Sequence, residues 1–159
     1  MLPLLASLVL AYATAAIGAI ASVSATAFYA ALNRPEWAPP AWLFGPVWTV
    51  LYGLMAIAAW GVWNARTRGN RNTDRALVLY LLQLIANALW SWLFFVWHTG
   101  LGAFVGVVVL WALILATVIA FWRVRPWTGA ILLPYLAWVS FATALTWSVW
   151  RASPALLGG

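Results

Sequence analysis

The sequence predicts an all-α integral membrane protein: one domain over residues 1–159, folded as a bundle of five transmembrane helices. Three observations carry that expectation. The chain is 67% hydrophobic and only 6% charged, against roughly 25% charge in a soluble globular domain. Its charged side chains leave residues 1–33, 37–65, 76–122 and 126–150 free of them. Those runs are continuously apolar rather than alternating, which argues against a membrane β-barrel.

A helix needs roughly 20 apolar residues to cross the hydrocarbon core. The first run predicts a helix over residues 4–29. A cleaved leader is the competing reading, but the run exceeds the ~7–15 residue core of a leader and no basic side chain precedes it. Residues 30–43 follow as a polar loop stiffened by Pro35, Pro39 and Pro40, whose rings restrict φ. The second helix is expected over 44–64, with Pro46 in its first turn, where a missing N–H costs nothing. The run 76–122 is long enough for two spans and is divided at "HTGLG", His98 to Gly102, giving helices over 76–97 and 101–122. The last run predicts a helix over 127–150.

Five spans put the termini on opposite sides. Arg66, Arg68, Arg71, Arg75, Arg123 and Arg125 fall on the N-terminal side, and only Arg34 and Arg151 on the other. The excess of positive charge then assigns the N-terminus to the cytoplasm, and the C-terminus and first loop to the opposite side. The net charge of +6 is therefore a topology signal; no basic helix or aromatic-bearing sheet suggests a nucleic-acid partner. Eight arginines without a lysine point to a GC-rich bacterial genome.

The fourteen tryptophans divide by depth. Trp60, Trp63, Trp97, Trp122, Trp127, Trp147 and Trp150 lie near expected helix ends, as an interfacial belt requires. Trp48, Trp90, Trp111 and Trp138 lie deeper. At 1.5 Å per residue, Asn87 and Trp138 are each roughly 16 Å in from the N-terminal side, and Trp48 and Tyr52 roughly 6–12 Å below the opposite surface. Gln83, Asn87, Trp90 and Ser91 share one face of the third helix; Tyr135, Trp138 and Ala142 share one of the fifth. An amide at mid-bilayer must face protein or a cavity. Asn87 is thus either a ligand contact or a hydrogen bond to a neighbouring helix. The zone suits a flat, apolar, aromatic ligand stacked on indoles. Trp37 and Trp42, in the loop, are candidate lid contacts above it.

Conventional catalytic equipment is sparse. No Asp, Glu, Lys or Arg lies within an expected span, whereas a proton relay or ion pump would normally carry one. There is one histidine and no cysteine, so neither a paired-histidine nor a thiolate metal site is expected, and no cofactor is called for.

Three segments carry a resemblance. "YAALNRPEWAPPAWLFGPVWTVLYGLM" (29–55) resembles the first-loop and second-helix signature of the translocator protein family, also called tryptophan-rich sensory proteins or peripheral benzodiazepine receptors (TspO/MBR). "QLIANALWSWLFF" (83–95) resembles its third-helix motif, and "LPYLAWVSFATAL" (133–145) its fifth. The resemblance implies a five-helix bundle, commonly a homodimer, that binds porphyrins, especially protoporphyrin IX, and synthetic isoquinoline and benzodiazepine ligands. Its ligand-facing positions match Tyr29, Trp48, Asn87, Trp90, Trp138 and Ala142. With the spacing argument, the expected binding set is these six together with Trp37, Tyr52 and Gln83. Light- and oxygen-dependent breakdown of protoporphyrin is reported for some members and attributed to tryptophans matching Trp48 and Trp138. The sterol motif of animal members departs here: Trp147 stands where it needs tyrosine, within "LTWSVWR" (145–151).

The expected function is a membrane receptor or sensor for porphyrins that regulates tetrapyrrole metabolism and stress responses. A light-dependent porphyrin-degrading enzyme is the first alternative. A facilitated transporter of porphyrins or sterol-like lipids is the second, although no inverted repeat supports alternating access. Membrane lipids are further expected partners. For a dimer, Ala11, Ala15 and Ala19, or Gly102 and Gly106, would allow close backbone contact; packing within one chain is the other use of the same residues.

Overall fold

The computed structural model describes residues 2–65 and 71–158. Its described residues form helices α1 (Leu2–Ala21), α2 (Ala25–Ala31), α3 (Phe44–Trp63), α4 (Arg71–Phe95), α5 (Gly100–Val124), α6 (Pro126–Ala130), α7 (Leu133–Ala152) and α8 (Pro154–Leu157), with a short 3-10 turn over Ala41–Leu43 before α3. Among the described residues five segments are long and apolar enough to cross a membrane: Pro3–Ala21, Ala41–Trp63, Arg71–Phe95, Gly100–Val124 and Pro126–Ala152. Arg66 and Arg68, which carry part of the topology expectation, lie outside the described residues.

Two expected helices are each broken in two. The first does not run on to residue 29; it stops at Ala21 and a turn over Ser22–Ser24 leads into α2. There the Ser22 hydroxyl donates to the Gly18 carbonyl (2.8 Å), and the Ser22 and Ala25 amides close onto Ala19 and Ser22 (both 3.0 Å). Serine competes in this way for backbone groups that a helix would use. The fifth helix is interrupted at Ile131–Leu132, between α6 and α7. Pro134 sits in the first turn of α7, where its absent N–H is tolerated, whereas inside a continuous 127–150 helix it would remove a hydrogen bond and clash.

The helices form a ring in the order α1, α3, α6–α7, α5, α4, closing back on α1. The α6 segment is held by close approach. A Cβ on Gly129 would lie 2.9 Å from the Val118 carbonyl oxygen and the Trp122 amide of α5, and one on Gly61 of α3 would strike the Trp127 ring. Gly106, a candidate dimer glycine, faces Leu93 of α4, where a Cβ would come within 2.9 Å. Its missing side chain is therefore used within the chain. Trp111 of α5 donates its indole N–H to the Ser140 hydroxyl of α7 (2.7 Å).

The outer face of the bundle is greasy, as lipid demands. Trp63, Trp97, Trp122, Trp127 and Trp147 are exposed, while Trp60 and Trp150 are half-buried. The loop between α2 and α3 is not free. Asn33 at its start donates its backbone N–H to the Ser153 hydroxyl oxygen and its side-chain amide to the Ala152 carbonyl (both 2.8 Å). This fastens the loop to the end of α7.

Candidate functional site

The half of the bundle beneath that loop contains a cavity of about 390 Å³, within the size range of small-molecule sites. Four helices build it. The end of α1 and the turn after it offer small residues, Ala15, Gly18, Ala19 and Ser22, whose lack of bulk makes the space. Tyr29 of α2 and Phe44, Trp48 and Tyr52 of α3 supply aromatic wall. Asn87, Trp90, Ser91 and Phe95 of α4 close the back.

Burial shows which way the cavity opens. On the α4 side Asn87, Trp90 and Ser91 are buried. On the other side the lining residues Tyr12, Ala19, Thr26, Gly45 and Thr49 are exposed. The mouth therefore lies between α1–α2 and α3, along the side of the bundle rather than at its end. Tyr12 spans the lower edge, its hydroxyl donating to the Thr49 carbonyl (3.1 Å).

The aromatic wall is continuous. Trp48 lies 5.7 Å from Tyr52, 6.5 Å from Trp90 and 6.1 Å from Tyr135, centroid to centroid. Trp90 stacks on Phe94 at 6.1 Å. These distances sit within the range at which aromatic rings attract one another beyond simple burial.

Behind the wall runs a buried polar chain. The Tyr52 hydroxyl donates to Asn87 Oδ1 (3.2 Å), Asn87 Nδ2 donates to the Tyr135 hydroxyl (2.7 Å), and that hydroxyl donates to Gln83 Oε1 (2.8 Å). Gln83 Nε2 reaches the Met55 sulfur at 3.7 Å. Asn87 thus does both things allowed to it by its depth: it borders the cavity and it cross-links α3, α4 and α7. A mid-membrane amide hydrogen-bonded at both its oxygen and its nitrogen escapes the cost of an unpaired polar group.

Of the nine expected binding residues, the structure brings five to the cavity wall: Tyr29, Trp48, Tyr52, Asn87 and Trp90. Gln83 lies one step back, held by Tyr135. Trp138 does not reach the space. It packs edge-on to Phe44 at 5.8 Å and against Phe141 at 5.5 Å, so Phe44 stands between it and the cavity. Ala142 is buried on α7, away from the lining. Trp37 leans on Phe141 at 5.6 Å and Trp42 is 72% exposed, so neither forms a cover over the cavity. The loop's nearest parts are Ala41, which lines it, and Pro39, whose carbonyl accepts from the Tyr29 hydroxyl (2.9 Å).

The α1 wall escaped the sequence reading because small residues carry no chemical label. Their spacing was the available signal: Ala15, Gly18, Ala19 and Ser22 fall at i, i+3, i+4 and i+7, one face of a helix. Among the described residues no group of three or more His, Cys, Asp or Glu side chains gathers where a metal ion would sit.

Comparison with known proteins bears on the same residues. The model of the TspO/MBR family matches residues 5–151. Protein CrtK of Rhodobacter capsulatus is 39% identical over 147 residues, covering 89% of each chain. The tryptophan-rich protein TspO of Chlorobaculum tepidum is 39% identical over 127 residues, covering 80% of each. The human translocator protein is 36% identical over 132 residues, covering 83% of this chain and 78% of its own.

Proposed function

This chain belongs to the TspO/MBR family of multi-pass membrane proteins, and from that premise we propose that it is a receptor for a flat, aromatic tetrapyrrole of the protoporphyrin IX kind. In this reading the ligand stacks in the cavity between α1–α2, α3 and α4, and occupancy signals the state of tetrapyrrole metabolism. The observation that carries it is the wall itself: Tyr29, Phe44, Trp48, Tyr52, Trp90 and Phe95 surround one space with Asn87 as its deepest polar group. Rings attract rings, and a few fixed polar groups set orientation.

In this reading the residues divide the work. Trp48 is the central stacking platform, since its ring neighbours those of Tyr52, Trp90 and Tyr135. Asn87 orients the ligand's polar edge while remaining anchored to Tyr135. Trp138 acts through Phe44, not by contact. Titrating the purified protein with protoporphyrin IX should quench tryptophan fluorescence saturably. Undiminished quenching in a variant carrying Trp48→Phe and Asn87→Ala would place the ligand elsewhere.

A second reading, light-driven porphyrin degradation, is favoured by one observation: an oxidisable indole, Trp48, borders the cavity. It predicts loss of porphyrin absorbance in light and oxygen but not in the dark, abolished by Trp48→Phe. Loss at the same rate with denatured protein would eliminate it.

A further inference from the structure

At the end of the bundle remote from the first loop, α4 and α5 leave a second space of about 400 Å³ between them. Its mouth carries Arg75, in the second turn of α4, and Arg123, in the last turn of α5, with Asn72 beside them. Its floor is apolar: Leu79 lies four residues, roughly 6 Å, further along α4 than Arg75, while Ile119 and Ala116 lie roughly 6 and 10 Å further in than Arg123. Ala116 and Ala120 leave the floor open, as larger side chains would not.

Both guanidiniums are exposed, and among the described residues neither has a hydrogen-bond or ion-pair partner. Asp74 is the one carboxylate at this end of the molecule, against Arg71, Arg75, Arg123 and Arg125. Two arginine forks at the polar boundary of a membrane-spanning helix pair, above an apolar channel, have the shape of a phospholipid: an anion at headgroup depth and a hydrocarbon chain beneath. Arginine's planar donors suit phosphate oxygens, and basic pockets between membrane helices are recurrent headgroup sites.

We propose that this groove is a binding site for an anionic phospholipid, its phosphate bridged by Arg75 and Arg123 and one acyl chain lying along Leu79, Ala116, Ile119 and Ala120. A soluble phosphate would use the arginines but leave the channel empty; the apolar floor selects the lipid. The site is separate from the aromatic cavity, which lies toward the opposite face, and does not depend on what that cavity binds.

The full-length protein in nanodiscs of phosphatidylcholine, with or without phosphatidylglycerol, tests this. Phosphatidylglycerol should raise the melting temperature, since a ligand bound only to the folded state stabilises it. It should also be retained over phosphatidylcholine in native mass spectrometry. Combining Arg75→Gln with Arg123→Gln should weaken that retention on the order of tenfold. Ala116→Phe, which fills the channel and keeps both charges, should weaken it as well. Arg151→Gln, on the other face, should leave it intact, and millimolar inorganic phosphate should not reproduce the stabilisation. Retention unchanged in the arginine pair variant or in Ala116→Phe, or full stabilisation by phosphate alone, would overturn the proposal. If the arginine pair proves necessary for folding, Ala116→Phe decides alone.

Discussion

Asn87 is the residue on which the interior turns. Its carbonyl takes the Tyr52 hydroxyl and its amide gives to Tyr135, so one side chain ties three helices at mid-membrane. Asn87→Leu keeps the volume but strands the Tyr52 hydroxyl and takes a donor from Tyr135. Leaving buried polar groups unpaired costs about 1–3 kcal/mol. The variant should melt measurably lower in detergent, and an unchanged melting temperature would mean that the chain of hydrogen bonds carries no stability. Tyr135→Phe should behave similarly, because it breaks the links to both Asn87 and Gln83. The inward direction of this face was legible in the sequence: Gln83, Asn87, Trp90 and Ser91 share a helical face, and all four are buried. Trp138 was not legible in the same way. Depth along a helix follows from counting residues, but rotation about its axis does not. Phe44 of α3, which lines the cavity, packs edge-on against Trp138 and stands between it and the space.

Among the elements, the short α6 shows how a break is held in place. Gly129 lets its backbone lie against α5 where a Cβ would meet the Val118 carbonyl and the Trp122 amide at 2.9 Å. Both obstacles are backbone, which cannot swing aside. Gly129→Ala should therefore destabilise by about 1–3 kcal/mol, as overpacking does. Gly45→Ala is the contrast: nothing lies within 4 Å of its new Cβ. Alanine's helix advantage over glycine is offset by the crowding that Pro46 imposes on a Cβ at the residue before it, so this variant should stay near neutral in the same melt. Equal effects from the two substitutions would refute the close-approach account of Gly129. The sequence located all five spans: charge, costly inside a bilayer, marks the ends of the apolar runs, and the glycine-bearing turn His98–Gly102 divides the one run that holds two. It concealed the breaks after Ala21 and before Leu133 because composition stays apolar through both. Only Ser22, Ser24 and Pro134 signal them, through backbone hydrogen bonding rather than hydrophobicity.

At the scale of the whole molecule, the cavity's position near one end makes orientation a functional matter. If the arginine excess sets topology, the end bearing the first loop and the cavity faces away from the cytoplasm, and the paired arginines of α4 and α5 face the inner leaflet. The chain has no cysteine, so a single introduced thiol reports its own side without background. Glu36 lies exposed in the first loop and Asn64 exposed at the end of α3. A membrane-impermeant maleimide should label Glu36→Cys in intact cells and Asn64→Cys only after permeabilisation. The reverse pattern would invert the topology and with it the side toward which the cavity lies. Neutralising Arg71, Arg75, Arg123 and Arg125 together should then yield labelling of both sites in intact cells, because only Arg66 and Arg68 would oppose Arg34 and Arg151. Should labelling stay one-sided in that variant, the orientation would be set by something other than the arginine bias, and the basic end of the bundle would be free for the lipid contact alone.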